Sequence, residues 1–266
     1  MGVRAMAYPA TEIYPDYEAA LRHCGDGYDD RELAEVTLKK TLAILSSDLK
    51  LALHPPNSEA TLTAVSLIPG KELRVLDFGG SFGPHYFLAK QCLPRRYRWA
   101  VVETGVIAEL GAQIESDELK FFTSIEAARA WLGEIDLVHA SGSIQYMPQP
   151  KAVLAALVRL NAPYLAITRT AVAEGRECVT IQVSLLSGNG PVGGLPPGVE
   201  DRLLRHPRVF MARDDFIATV EPHYGVLYQT LDDREGPLTA DGVPLFLGDN
   251  FVLVRRDKAP GGPRRP

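Results

Sequence analysis

Residues 74–87, RVLDFGGSFGPHYF, combine an apolar run, an acid and three glycines. The run RVLDF is typical of a buried strand, and a helical pattern begins after the last glycine. Because glycine has no Cβ, Gly79, Gly80 and Gly83 permit positive φ and let a ligand come close to the main chain. The stretch therefore predicts a strand, a tight turn and a helix whose free N–H groups face a ligand.

On the C-terminal side of this stretch, short apolar runs alternate with helical stretches as far as Thr170. This alternation is typical of parallel strands covered by helices on both faces of the sheet. After Thr170 the pattern weakens, but CVTIQVS, YGVLYQTL and FVLVRR are compatible with strands and ARDDFIATVE with a helix. The glycine- and proline-rich stretch LSGNGPVGGLPPGVEDR is a loop that could cover a site. We predict a Rossmann-like α/β fold with a seven-stranded, mostly parallel sheet.

Two helices are predicted before the first strand. The first covers residues 30–54 and has leucines at helical spacing, at Leu38, Leu42, Leu45, Leu49 and Leu53. The second begins at a cap, Asn57 or Ser58, and ends at the Pro69-Gly70 pair. We therefore expect an N-terminal helical cap or lid over residues 1–70, a ligand-binding domain over 71–256 and a disordered tail over 257–266.

Composition excludes several classes of protein. The net charge of −5 argues against nucleic acid as a partner, and no apolar run approaches the roughly 20 residues of a membrane span. The N-terminal sequence lacks the apolar segment of a secretory signal. The three cysteines are far apart and form no CxxC pair, so neither a metal site nor a disulfide framework is indicated. We expect a soluble, cytoplasmic protein with a small-molecule substrate; the oligomeric state stays open.

The glycine turn can be compared with known phosphate-binding turns. It lacks the lysine followed by a hydroxyl of a P-loop, and Ser81 and Pro84 interrupt the dinucleotide pattern GxGxxG. Asp77, two residues before the first glycine, disfavours pyrophosphate and favours a cationic group. Glu103 ends the next strand, where a carboxylate can bind both hydroxyls of a ribose. This pattern fits S-adenosylmethionine, which carries an amino acid, a ribose and a sulfonium but no phosphate.

The motifs VLDFGGSFG, WAVVE, DLVHASGSIQYMP and LAITRT resemble the class I Rossmann-fold S-adenosylmethionine-dependent methyltransferases. The resemblance is greatest to a branch found in bacterial biosynthetic gene clusters, and it covers about residues 15–255. It implies that S-adenosylmethionine is the cofactor and that Glu103 binds its ribose. It also implies that Asp77, Gly79 and Gly83 contact the methionine moiety, and that Phe122 and Thr123 flank the adenine. Further candidates for binding the cofactor are Gly80, Ser81 and Ser141. Ser81 departs from the common DxGxGxG pattern, because it stands where the family has its middle glycine.

In such methyltransferases the end of the fourth strand faces the transferred methyl group. The resemblance therefore makes Ser141, Ser143, Gln145 and Tyr146 candidates for the reaction pocket, and His85 and Tyr86 follow the glycine turn closely. His139 lies inside the fourth strand, where a hydrogen-bonded core histidine is expected. Arg169 could pair a surface acid or orient a carboxylate substrate. The N-terminal tyrosines Tyr8, Tyr14, Tyr17 and Tyr28 could pack on the domain or close over a sulfonium ligand.

Three functions remain open at this level. The first is a methyltransferase that acts on oxygen, nitrogen or carbon of a small biosynthetic intermediate. The second uses the same cofactor in a cyclisation, in which the amine of the aminobutyrate arm attacks its own γ-carbon to give azetidine-2-carboxylate and methylthioadenosine. The third is a catalytically silent adenosyl-binding domain.

Overall fold

The computed structural model describes residues 12–47, 58–231 and 238–258. Its helices are α1 (Tyr17–Leu21), α2 (Arg31–Leu45), α3 (Ser58–Leu67), α4 (Pro84–Cys92), α5 (Gly105–Gly111), α6 (Ile125–Leu132), α7 (Pro150–Arg159) and α8 (Arg213–Val220). Its strands are β1 (Glu72–Phe78), β2 (Arg96–Val102), β3 (Leu119–Phe122), β4 (Leu137–Ser141), β5 (Tyr164–Ala173), β6 (Cys178–Leu185), β7 (Leu203–Ala212), β8 (Tyr224–Leu231), β9 (Leu238–Ala240) and β10 (Val243–Arg255). In these ranges no helix has the length and apolar character needed to cross a bilayer.

The main sheet has the strand order β3-β2-β1-β4-β5-β10-β8, which confirms the predicted fold class. The strands from β3 to β5 pair in parallel, and β10 is antiparallel to both of its neighbours. Helices α6, α7 and α8 pack on one face of the sheet, and α3 and α4 pack on the other. Because the winding direction reverses between β1 and β4, the carboxyl ends of these two strands frame a crevice where ligands bind in such sheets.

The sheet has three strands more than the predicted seven, and one of the added strands, β6, corresponds to CVTIQVS, which the sequence already marked as compatible with a strand. The antiparallel pair β6 and β7 forms a hairpin, which joins the end of β5 where Val172 pairs with Met211, and β9 pairs with β10. Strand β7 was missed because its sequence, LLRHPRVFMA, contains a proline and three basic side chains that interrupt the apolar pattern. The hairpin brings Gln182 of β6 and His206 of β7 next to Tyr146, in the segment after β4.

The first helix differs from its prediction. Helix α2 ends at Leu45, with Ser46 as its C-cap, whereas the leucine spacing predicted a helix to residue 54. Leu42, one of the predicted apolar positions, is exposed. The buried side of α2 instead packs Ala34 and Leu38 against α5, and Leu33 and Val36 against Leu186. The other two leucines, Leu49 and Leu53, lie outside the described residues.

The loop between β6 and β7 docks on α2. Lys40 is buried, and its Nζ donates hydrogen bonds to the carbonyl oxygens of Ser187, at 3.0 Å, and Asn189, at 2.5 Å. Burial lowers the pKa of Lys40. The predicted covering loop is thus anchored to the N-terminal helix. The predicted tail, 257–266, lies outside the described residues from residue 259 onward.

Candidate functional site

The glycine turn between β1 and α4 is shaped by two close contacts. Gly79 has φ +69°, and a Cβ there would lie 2.2 Å from the Cβ of Ser143. A Cβ on Gly80 would lie 2.5 Å from a carboxylate oxygen of Asp77. Ser81 has φ +47°, in the left-handed region that side chains rarely adopt. Packing against β1 and against the segment after β4 therefore requires glycine at residues 79 and 80.

Asp77 is fully buried beneath this turn, and both of its oxygens are hydrogen bonded. Trp99 Nε1 donates to Oδ2 at 2.9 Å, and His139 Nδ1 lies 2.7 Å from Oδ1. The other ring nitrogen of His139 lies 2.9 Å from Thr61 Oγ1, so the predicted core histidine is confirmed. Burial acts to raise the pKa of Asp77, but the attraction and hydrogen bond of His139, together with His85 and the Trp99 hydrogen bond, leave this pKa below its ordinary value.

His85, a sequence candidate for catalysis, lies in the same buried cluster. Its ring packs edge-on against His139 at 4.6 Å between centroids. Potential ligand atoms of Asp77, His85 and His139 lie within 4.8 Å of one another. A metal ion would have to displace the hydrogen bonds that Asp77 and His139 already make. The cluster has the form of a structural network that holds β1, β4, α3 and α4 together.

Glu103 follows β2 and joins it to the glycine turn. Its Oε1 accepts from the backbone N–H of Ser81 at 2.8 Å, and its Oε2 accepts from that of Thr104 at 3.0 Å. Burial raises the pKa of Glu103 to about 7, against the lowering effect of these two hydrogen bonds. Each carboxylate oxygen can accept a further hydrogen bond. Phe122 is close in the backbone, since its carbonyl accepts from the N–H of Glu103 at 2.9 Å, and Thr123 after it is exposed.

The segment after β4 contains the other sequence candidates, and two of them bind the backbone. Ser143 Oγ donates to the carbonyl oxygen of Phe78 at 2.7 Å, and Gln145 Nε2 donates to that of Arg169 at 3.2 Å. Ser141 is buried, and its Oγ has no hydrogen-bond partner among the described residues. The two hydrogen bonds tie the segment after β4 to the ends of β1 and β5. The hydroxyls of Thr168 and Thr170 on β5 are unsatisfied as well among the described residues.

Arg169 interrupts β5 with a strained backbone. Its φ is +53°, and its N–H donates to the buried Asn250 side chain at 2.9 Å. The guanidinium covers Gly142, where a Cβ would lie 3.2 Å from Arg169 Cζ. No acid in the described part of the chain forms an ion pair with Arg169, so the surface-acid alternative finds no support there. A strained residue persists only where the surrounding structure holds it in place, and such residues cluster at ligand sites.

An aromatic cluster lies above the strand ends. Tyr28 stacks on His206 with centroids 4.1 Å apart, and it meets Tyr146 edge-on at 4.9 Å. Tyr146 donates a short hydrogen bond to Gln182 of β6. Burial and Tyr146 raise the pKa of Tyr28 well above its ordinary value, an effect that nearby Arg169 opposes. Glu103 is near enough to Tyr28 to add a smaller rise.

The N-terminal tyrosines have different positions. Tyr17 donates from its hydroxyl to the carbonyl oxygen of Tyr146 at 2.9 Å, and Tyr14 packs against His23. Tyr8 lies outside the described residues, and Tyr86 packs among the aromatic core residues beside Trp99. Of the described N-terminal tyrosines, Tyr17 and Tyr28 both contact Tyr146 in the segment after β4. His206 was not among the sequence candidates, because it lies on β7, which was not predicted. Gln182 lies in CVTIQVS, which was compatible with a strand, but its position beside Tyr146 depends on the pairing of β6 with β7.

Comparisons with known proteins give structural neighbours only. No protein-family model and no curated protein matches the chain. The CcbJ methyltransferase from Streptomyces caelestis is 11% identical over 76% of this chain and 90% of its own, with a TM-score of 0.48. A SAM-bound amino pentose methyltransferase from Micromonospora echinaspora, involved in calicheamicin biosynthesis, is 13% identical over 82% and 96%, with a TM-score of 0.47. The 4+2 cyclase SpnF is 11% identical over 93% and 98%, with a TM-score of 0.47.

Proposed function

We propose that this protein is a transferase that binds S-adenosylmethionine across the glycine turn and transfers its methyl group to a small molecule. The observation that carries the proposal is the carboxylate of Glu103, bonded to the backbone of Ser81 and with acceptor capacity left over. A ribose diol supplies two donors to such a carboxylate. The same crevice contains no P-loop lysine, which agrees with an adenosine ligand that lacks phosphate.

The remaining residues fit the other parts of this ligand. The guanidinium of Arg169 suits the carboxylate of the methionine arm, and the buried Ser141 hydroxyl is a spare polar group at the same strand ends. We expect Phe122 and Thr123 to flank the adenine, as the resemblance implies. Asp77 has a different role from the one that the resemblance implies: its oxygens bind Trp99 and His139, so it supports the turn from below.

When bound, the ligand supplies an electrophilic methyl group on a sulfonium. The protein then has to align the acceptor and exclude water, which accounts for most of the rate in an in-line displacement. The faces of Tyr28 and Tyr146 suit a sulfonium cation. Because α1 and the turn before α2 bring Tyr17 and Tyr28 to this place, we propose that the N-terminal segment acts as the lid over the site.

A second candidate is the cyclisation of the ligand on itself. It is favoured by the close packing of Tyr28, Tyr146 and His206, which lie ring to ring near Glu103 and Arg169. Such a closed site suits a reaction that needs no second substrate. The methyltransferase remains the first proposal on the resemblance of the motifs.

Chromatography of the nucleoside products separates these candidates. For a methyltransferase, S-adenosylmethionine incubated with the protein alone stays nearly unchanged, and S-adenosylhomocysteine forms when an acceptor is added. For a cyclase, methylthioadenosine accumulates without any acceptor. Steady formation of methylthioadenosine, abolished in Tyr146→Phe, would overturn the methyltransferase proposal and keep the binding site.

Ligand affinity is expected to depend on pH through Glu103, whose pKa is about 7. The carboxylate binds the ribose hydroxyls more strongly than the protonated acid, so the affinity for S-adenosylhomocysteine falls as the pH drops below 7. We expect a loss of about tenfold between pH 8 and pH 6, measured by calorimetry. Glu103→Gln is the control, because it cannot titrate and should bind weakly with a flatter pH profile. Equal pH profiles for both proteins would contradict the assignment.

The raised pKa of Glu103 affects the stability of the ligand-free protein in the opposite direction: stability falls, and affinity rises, as the pH increases. The folded chain holds the proton of Glu103 more tightly than the unfolded chain, whose pKa is the ordinary 4.5. The contribution of this group to stability therefore decreases as the pH rises from about 4.5 to 7. A ligand that donates hydrogen bonds to the carboxylate offsets this loss of stability.

A further inference from the structure

His206 is a buried histidine on β7 whose ring nitrogens both lack a hydrogen-bond partner in the ranges that the structure describes. Its exposed fraction is 1%. Buried polar groups are almost always hydrogen bonded, and an unpaired one reduces stability. Tyr28 covers one face of the ring by stacking, so the imidazole is held in a fixed orientation. A buried, oriented imidazole without a hydrogen-bond partner among the described residues indicates that a bound ligand supplies the partner.

The position of His206 connects it to the candidate site. It pairs across the hairpin with Gln182, which accepts the hydrogen bond of Tyr146. Its stacking partner Tyr28 lies close enough to Arg169 and Glu103 to feel both charges. His206 is thus one aromatic ring, that of Tyr28, away from the residues assigned to the ligand.

The chemical state of His206 suits an acceptor of hydrogen bonds. Burial lowers its pKa to about 4, and the charge of Asp30 opposes this only in part. The imidazole is therefore neutral at physiological pH and has one nitrogen with a free lone pair. A neutral imidazole accepts a hydrogen bond from O–H or N–H but gains nothing from a C–H group.

We propose that His206 binds the nucleophile of the transfer reaction and restricts the acceptor to compounds that attack through an O–H or N–H group. The inference rests on the proposed function, and it narrows the acceptor from oxygen, nitrogen or carbon to the first two. As the new bond to carbon forms, the proton of the nucleophile passes to the imidazole nitrogen. The electron pair of the breaking carbon–sulfur bond stays on sulfur, so charge and atoms balance.

The test uses three ring compounds of similar size as probes: phenol, aniline and toluene. Each is titrated into protein saturated with S-adenosylhomocysteine, with the histidine ring nitrogens labelled for NMR. We expect phenol and aniline to bind at least about tenfold more tightly than toluene and to shift the His206 signal. In His206→Phe, which keeps the ring stack but has no nitrogen, this preference should disappear. The exposed His223→Gln serves as the control and should keep it.

Two further measurements make the result decisive. His206→Phe removes an unpaired polar group, so its melting temperature should rise by about 2–4 °C, while its affinity for S-adenosylhomocysteine stays within about twofold of the wild type. The proposal is overturned if toluene binds as well as phenol, if the preference persists in His206→Phe, or if this variant melts below the wild type. If S-adenosylhomocysteine does not bind the wild type at all, the proposed function fails instead.

Discussion

Replacing Asp77 with alanine is expected to lower the free energy of unfolding by about 3–5 kcal/mol, the usual cost of removing one partner from a buried pair. The change leaves Trp99 Nε1 and His139 Nδ1 buried without their acceptor. Because Gly80 packs directly on this carboxylate, the glycine turn should also lose its support. Urea denaturation followed by circular dichroism measures the loss.

The matched control is Asp257→Ala, which removes an exposed acid paired with Arg255. Exposed pairs contribute about 0–1 kcal/mol, so this variant should unfold almost as the wild type does. Asp77 also predicts acid sensitivity. Its folded pKa lies below the ordinary 3.8, so its contribution is present above that pH and is lost as the pH falls through the folded pKa. Equal stability of Asp77→Ala and Asp257→Ala would refute the structural role of the network.

Replacing Glu103 with alanine is expected to weaken the binding of S-adenosylhomocysteine by about 1.5–3 kcal/mol, the range for hydrogen bonds to a charged group. This corresponds to roughly ten- to 150-fold in the dissociation constant. Stability should change little, because the carboxylate that is lost is itself costly to bury. Calorimetric titration gives the affinity, and the denaturation midpoint gives the stability.

Glu134→Ala is the control for this variant, because its side chain is 85% exposed and lies outside the site. Its affinity should equal that of the wild type. The assignment of Glu103 to the ribose is wrong if Glu103→Ala and Glu134→Ala bind S-adenosylhomocysteine equally well.

The sequence pattern predicted those helices and strands whose formation depends mainly on neighbouring residues. The apolar run before Gly79 and the alternating pattern up to Thr170 correspond to strands and helices of the sheet. Their apolar periodicity can be read from the sequence. Glu103 was found because the end of the second strand has a fixed position relative to the first turn. The structure places its carboxylate on the Ser81 N–H, next to that turn.

Features that depend on distant partners were not predicted. The end of α2 at Leu45 follows from which side packs on α5 and Leu186, and a leucine repeat contains no information about those partners. The role of Asp77 depends on Trp99 and His139, which are far from it in sequence. His206 was missed with β7, because the proline and basic side chains that mark a site-facing strand also disguise it as a loop.

The central claim is that S-adenosylmethionine binds between the glycine turn and Glu103. Calorimetric titration of the wild-type protein with S-adenosylhomocysteine, the demethylated and unreactive form of the ligand, tests it most directly. We predict binding at one site per chain, with matching thermal stabilisation by S-adenosylmethionine and none by NAD or ATP. The absence of both heat and thermal shift with S-adenosylhomocysteine and S-adenosylmethionine would contradict the account.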